Sequence, residues 1–249
     1  TSMLLNVETG SSTRACRTSA IAWNVGLSVD LPLGTELGRA VLGCRSLGTA
    51  LHWLCHYFPL LQDAAFLRLD VNEDWTTLSY KIVDPTIWPR HEDAMYTLGI
   101  YARLLKAAAA DAWSQVQVTV EAEQEQVRAD LEAIVNASVA YGGNANALRF
   151  PTSIINAPLN LAPPCEPEVL KKLSAELTKK KRRAPITDRT RQMIFREMND
   201  GSVNQENIAR ELGIRTSELR RLARAFGDDF MPMLKRMSES RKSLKIMQL

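Results

Sequence analysis

Apolar positions along this chain recur with two different periods, and the mixture changes once. Between residues 46 and 61 (SLGTALHWLCHYFPLL), Leu47, Ala50, Leu51, Leu54, Cys55 and Phe58 fall three and four apart, which predicts a helix with Ser46 as its cap. FLRLDV and WTTLSYKIV then alternate apolar and polar around Asn72–Asp74 and read as a β-hairpin. Residues 90–109 return to helical spacing with Met95, Leu98, Tyr101, Ala102 and Leu105 inside. VQVTV at 116–120 reads as a strand, EQVRADLEAIV as a helix, and VAYG and ALRF as short strands around a turn-forming GGN. Single helices interspersed with strands in this order predict an α+β domain with a mixed or antiparallel sheet.

Pro158, Pro163, Pro164 and Pro167 crowd into ten residues and mark a connection, because proline cannot continue either regular element. Beyond it everything reads as helix. Val169, Leu170, Leu173 and Leu177 line a linker helix over 167–180, and Met193, Ile194 and Met198 line a second helix over 187–198. Leu234, Met237, Leu244 and Met247 form the sparse apolar side of a last helix from Phe230 to Leu249. The expected organisation is an α+β domain over 1–160, a linker over 161–184 and an all-α domain over 185–249.

The sharpest pattern lies in that last part, in QENIARELGIRTSELRRLAR (205–224). Ile208, Ala209 and Leu212 share one helical face, Gly213 ends the helix, Ile214 plugs the turn, and Leu219 and Leu222 resume the stripe. Ala209 permits close approach of two helices, Gly213 can adopt the left-handed conformation that closes one, and Thr216 is placed to cap the next. Ser217, Glu218, Arg220, Arg221 and Arg224 are left outside. Two readings are open. One is a helix-turn-helix DNA reader, with Thr216, Ser217, Arg220 and Arg221 reaching base edges and Arg215 and Arg224 holding phosphates. The other is a structural pair of short helices.

Charge favours the first reading. The net charge of +3 is divided unevenly: from Glu166 onward 20 Lys and Arg stand against 12 Asp and Glu, while residues up to Cys165 hold 11 against 16. An acidic front and a basic rear are expected of a regulator whose C-terminal part touches nucleic acid. Residues 179–183 (KKKRR) add either salt-sensitive phosphate contacts or a merely solvated charge run.

Other chemistry is weakly represented. His52 and His56 stand at i and i+4 with Cys55 beside them, which is metal-ligand spacing, but no carboxylate or second cysteine is near in sequence; a helix packed through Cys55 is the simpler reading. Cys16, Cys44, Cys55 and Cys165 lack CxxC spacing and read as reduced structural thiols. GxSxG, P-loop and GxGxxG motifs are absent, so neither an enzyme, nor a metal centre, nor a cofactor is expected. No run approaches the roughly 20 apolar residues of a membrane span, and the N-terminal residues do not read as a secretory signal, so a cytoplasmic protein is expected. Trp53, Tyr57, Trp75, Tyr80, Trp88, Tyr96 and Tyr101 either line an apolar ligand pocket or fill the core.

With SLGTALHWLCHYFPLLQDAAFLRLD in front, prolines between, and NIARELGIRTSELRRLARAFGDDFMPMLKRM behind, the chain resembles bacterial AraC-type transcriptional regulators with an arabinose-binding-like N-terminal domain. Ala209, Gly213, Leu219, Arg221, Leu222, Gly227 and Phe230 carry the specific part of the resemblance. It implies a domain sensing a small-molecule effector, with double-stranded DNA, a second copy of the chain and RNA polymerase as further partners. It also implies two helix-turn-helix units joined by a long helix. Only the first has room before Leu249, so the sequence reads either as a fragment without the second or as a natural chain with one reader. The alternative function is a protein-interaction or dimerisation module docking through the last helix.

Overall fold

A computed structural model describes residues 20–29, 31, 34–63, 65–82, 90–123, 131–190, 193 and 205–225. The chain divides into two compact units, Thr1–Thr178 and Lys179–Leu249.

The first unit opens with α1 (helical residues 20–28), α2 (Glu36–Leu42) and α3 (Leu47–Tyr57). The β1 (Ala65–Val71) and β2 (Trp75–Ile82) hairpin follows, then α4 (His91–Ala109) and β3 (Gln117–Thr119). Next come α5 (Leu131–Val135), β4 (Ser138–Ala140) and β5 (Asn146–Pro151). α6 (Pro167–Arg183) begins in the first unit and ends in the second. Residues 124–130, the front of the helix expected before Val135, lie outside the described residues, as does Trp88.

The strands form one sheet in the order β1-β2-β5-β3-β4. All neighbours are antiparallel except β3 and β4, so the sheet is mixed. VAYG and ALRF therefore do not pair with each other: β4 runs parallel to β3 on its outer side, while β5 is inserted between β2 and β3. Register aligns Leu69 with Leu78, Leu78 with Leu148 and Leu148 with Val118, giving one apolar row across four strands. Leu78, Leu148 and Val118 are fully buried, whereas Thr77, Ser79 and Arg149 on the other face keep contact with solvent. That alternation is the period-two pattern of a sheet covered on one side.

Helices supply the cover. Ser46 caps α3, its hydroxyl accepting from the Thr49 amide at 3.3 Å, and this phase turns Leu47, Ala50, Leu51, Leu54 and Tyr57 inward. Cys55, expected on that face, is only partly buried, and Tyr57 takes the deeper position. α1 meets α4 at Gly26 and Gly99: a Cβ on Gly26 would lie 2.1 Å from the Tyr96 carbonyl oxygen. Only glycine permits that approach, which brings Trp23 into the core 6.2 Å from Trp113.

The proline-marked segment and most of α6 pack within this first unit. Leu173 and Leu177 join its core, and the Tyr57 hydroxyl lies 2.8 Å from the Ser174 hydroxyl. Lys172 pairs with Glu36 on α2. The apolar side expected of the linker helix thus contributes Leu173 and Leu177 to the core of the first unit.

In the second unit α7 (helical residues 186–190) precedes α8 (Gln205–Leu212) and α9 (Thr216–Ala225). Ile208, Ala209, Leu212 and Leu219 form its buried cluster, with Ile186, Met193, Ile214 and Leu222 against them. Ile194, Met198 and the expected helix from Phe230 to Leu249 fall outside the described residues.

Candidate nucleic-acid interface

α8 is closed by a Schellman turn. The Ile214 amide donates to the Ala209 carbonyl at 3.0 Å, the Gly213 amide donates to the Arg210 carbonyl at 3.1 Å, and Gly213 has φ +68°. Nothing lies within 4 Å of where a Cβ on Gly213 would stand, so its conformation rather than its surroundings demands glycine. Gly213→Ala is expected to lower the stability of this unit by about 1 kcal/mol, and Gly213→Asn by less; urea denaturation of both variants checks the order.

The turn delivers the chain into α9 after three residues. Arg215 takes the capping place, since its carbonyl accepts from the Glu218 and Leu219 amides, both at 3.0 Å. Thr216, expected as the cap, is the first residue inside the helix. The cap moved back by one because the Schellman turn consumes only Gly213 and Ile214.

At about 100° per residue, Leu219 and Leu222 define the inner face of α9, and Ser217, Arg220, Arg221 and Arg224 cluster on the opposite one. All four are exposed; Thr216 and Glu218 flank them, half-buried, and Arg215 is exposed at the helix start. Two contacts not foreseen from spacing shape this surface. Arg220 Nε donates to Gln205 Oε1 at 3.0 Å, tying it to the start of α8, and Arg221 stands 4.0 Å from Glu218. A long polar side chain fifteen residues away gives no periodic signal, so the first contact could be found only with the two helices in place.

The aromatics of the first unit divide. Tyr57, Tyr80 and Tyr101 are buried core residues, while Trp53, Trp75 and Tyr96 are half-buried. The Tyr80 hydroxyl donates to Asp93 Oδ2 at 2.7 Å with Gln62 Oε1 3.0 Å away; burial and then the Asp93 carboxylate hold its pKa well above the usual phenol range. Burial pushes the Cys55 thiol up to about 12, with Asp70 adding to the shift. His52 and His56 are both exposed, with near-parallel rings 6.3 Å apart. Among the described residues no group of three or more His, Cys, Asp and Glu is placed to hold a metal ion, and no helix is long and apolar enough to cross a membrane.

The described residues comprise an α+β unit built on a mixed sheet and, after it in the chain, a helical unit. Residues 11–159 match the family described as the arabinose-binding domain of AraC transcription regulator, N-terminal. The chain belongs to this family of AraC-type transcriptional regulators. No curated protein matches it. Among solved structures it is similar to the transcriptional regulator CdpR from Pseudomonas aeruginosa, at 16% identity over 90% of this chain and 75% of that one, with a TM-score of 0.43. That likeness is too distant for architecture to be transferred from it.

Proposed function

We propose that this chain is a sequence-specific DNA-binding transcriptional regulator whose first unit responds to a small-molecule effector, with α8 and α9 as the DNA reader. One observation carries the reading: the α8–α9 pair turns its apolar stripe inward, with Ile208, Ala209, Leu212 and Leu219 buried and Ile214 and Leu222 partly so, while presenting Ser217, Arg220, Arg221 and Arg224 together on an exposed helix face. Such a short helix with a cationic outer face suits a major groove lined by phosphates. Thr216, Ser217, Arg220 and Arg221 contact base edges, and Arg215 and Arg224 hold phosphates. Residues 185–249 are the DNA-binding domain, and residues 1–160 sense the effector. The segment 161–184 relays effector binding through the seam at which α6 meets the first unit, with its Leu173 and Leu177 in the core and its Ser174 against the Tyr57 hydroxyl. RNA polymerase is the partner on which the bound regulator acts.

Fluorescence anisotropy of a labelled duplex of mixed sequence, titrated with the whole chain from low to physiological salt, tests this. Binding that weakens steeply as salt rises is expected, because each phosphate neutralised contributes a slope of about 0.9 in log K against log salt. No binding even at low salt would remove the reader.

A further inference from the structure

β1 is the terminal strand of the sheet, and among the described residues β2 is its one strand neighbour. The hairpin determines which of its backbone groups are used. The Asn72 amide donates to the Trp75 carbonyl at 2.9 Å, so Asp70, Arg68 and Phe66, at steps of two, turn their backbone groups toward β2. Those of Ala65, Leu67, Leu69 and Val71 therefore point out of the sheet edge. An edge of this kind is a template for another strand.

The side chains along that edge are self-complementary. Leu67 is buried, Leu69 half-buried, and Val71, on the same face, is 52% exposed, so the apolar row runs off the protein into solvent. On the other face Arg68 and Asp70 are partly exposed and joined by an ion pair of 2.7 Å. We infer that β1 pairs antiparallel with β1 of a second copy about a two-fold axis at Leu69, extending the sheet across a homodimer. In that register Arg68 stands opposite the second copy's Asp70, and Asp70 opposite its Arg68, forming an alternating ring of four charges. Leu69 meets Leu69, and each Val71 meets the other copy's Leu67, which covers the exposed end of the row. The outward backbone groups of residues 67, 69 and 71 find each other, and the charged residues fall at the closer, non-hydrogen-bonded positions, with about 4.5 Å between Cα atoms. A two-fold contact requires this reciprocity, in which residue i meets j and j meets i. Slipping the axis to Arg68 or Asp70 would instead set like charges face to face, so the same two residues select the register. The inference is independent of the DNA-binding reading.

Sedimentation velocity of the whole chain across the micromolar range tests it with two single variants, Arg68→Asp and Asp70→Arg. The wild type is expected to dimerise. Each single variant sets four like charges in one ring and should weaken dimerisation by roughly tenfold or more. An equimolar mixture of the two sets opposite charges across both cross-strand pairs and should recover dimers, as should the exchanged double variant R68D/D70R, which also restores the alternation. Recovery on mixing also shows that both single variants fold. A wild type that stays monomeric, or single variants that dimerise as it does, would overturn the proposal.

Discussion

Lys81→Met should lower the stability of the first unit by about 3 kcal/mol, toward the lower end of what breaking a buried ion pair costs. Lys81 is 6% exposed, an unusual position for a lysine, and its Nζ stands 2.7 Å from Glu121 Oε1 while also donating to the Asn144 carbonyl. Glu121 is held in turn by Asn146, itself 5% exposed: the Asn146 side-chain amide donates to Glu121 Oε2 at 2.9 Å, and its carbonyl accepts from the Glu121 backbone amide at 3.0 Å. This network joins β2, β5 and the segment after β3, where the sheet leaves its apolar row. Removing the cation abandons a carboxylate that is only 24% exposed, and the lost partner outweighs the methylenes that Met retains. The value stays below the maximum because that residual exposure lets water solvate Glu121. For a unit of this size the melting temperature should fall by about 6–12 °C. A second change, Glu121→Gln, removes the stranded charge and should recover more than half of the loss. Circular dichroism melts of the wild type, the single and the double variant decide this; a single variant melting with the wild type would show that the pair contributes little.

Much of the fold is legible in the chain because local chemistry and tertiary packing agree. Ser46 caps α3 because its hydroxyl meets the Thr49 amide, and Leu47, Leu51 and Leu54 then face inward by period alone. The hairpin from Ala65 to Ile82 follows from alternation on both sides of a polar turn. What escapes a reading of pattern is whatever depends on non-local pairing. Nothing in SVA or ALRF indicates that one lies parallel to β3 and the other antiparallel to it, since three to six residues carry no record of their neighbour. Lys81 sits in a strand that alternates cleanly up to Tyr80, and its burial depends on Glu121 and Asn146, forty or more residues away. The leucines of α6 indicate an inward face without saying which core receives it. At the candidate interface the stripe and Gly213 are readable from spacing, because helix closure is local. The position of Thr216 inside α9 and the tie from Arg220 to Gln205 depend on how two helices meet.

Reversing two charges on the α9 face, Arg220→Glu with Arg221→Glu, should abolish specific DNA binding while leaving the fold intact. Both side chains are exposed, and the contacts they make within the protein are weak ones. An exposed pair such as Arg221 with Glu218 contributes at most about 0.5 kcal/mol and yields readily to a better partner. Arg220 differs, because its bond to Gln205 through Nε orients the guanidinium and leaves the outer edge for the O6 and N7 acceptors of a guanine. Two good bidentate pairs discriminate by about 2–6 kcal/mol together, so specific affinity should fall by roughly thirtyfold or more before the repulsion of the new carboxylates is counted. Arg215→Gln with Arg224→Gln should behave differently. Contacts to phosphate carry no sequence information, so affinity should fall evenly on specific and mixed duplexes, and the salt slope should shrink by about 2. Anisotropy titrations of both variants on both kinds of duplex separate the two roles. Equal losses on the two duplexes after the Arg220 and Arg221 change would move those arginines from base reading to the backbone, and binding unchanged in both variants would place the DNA contact away from α9.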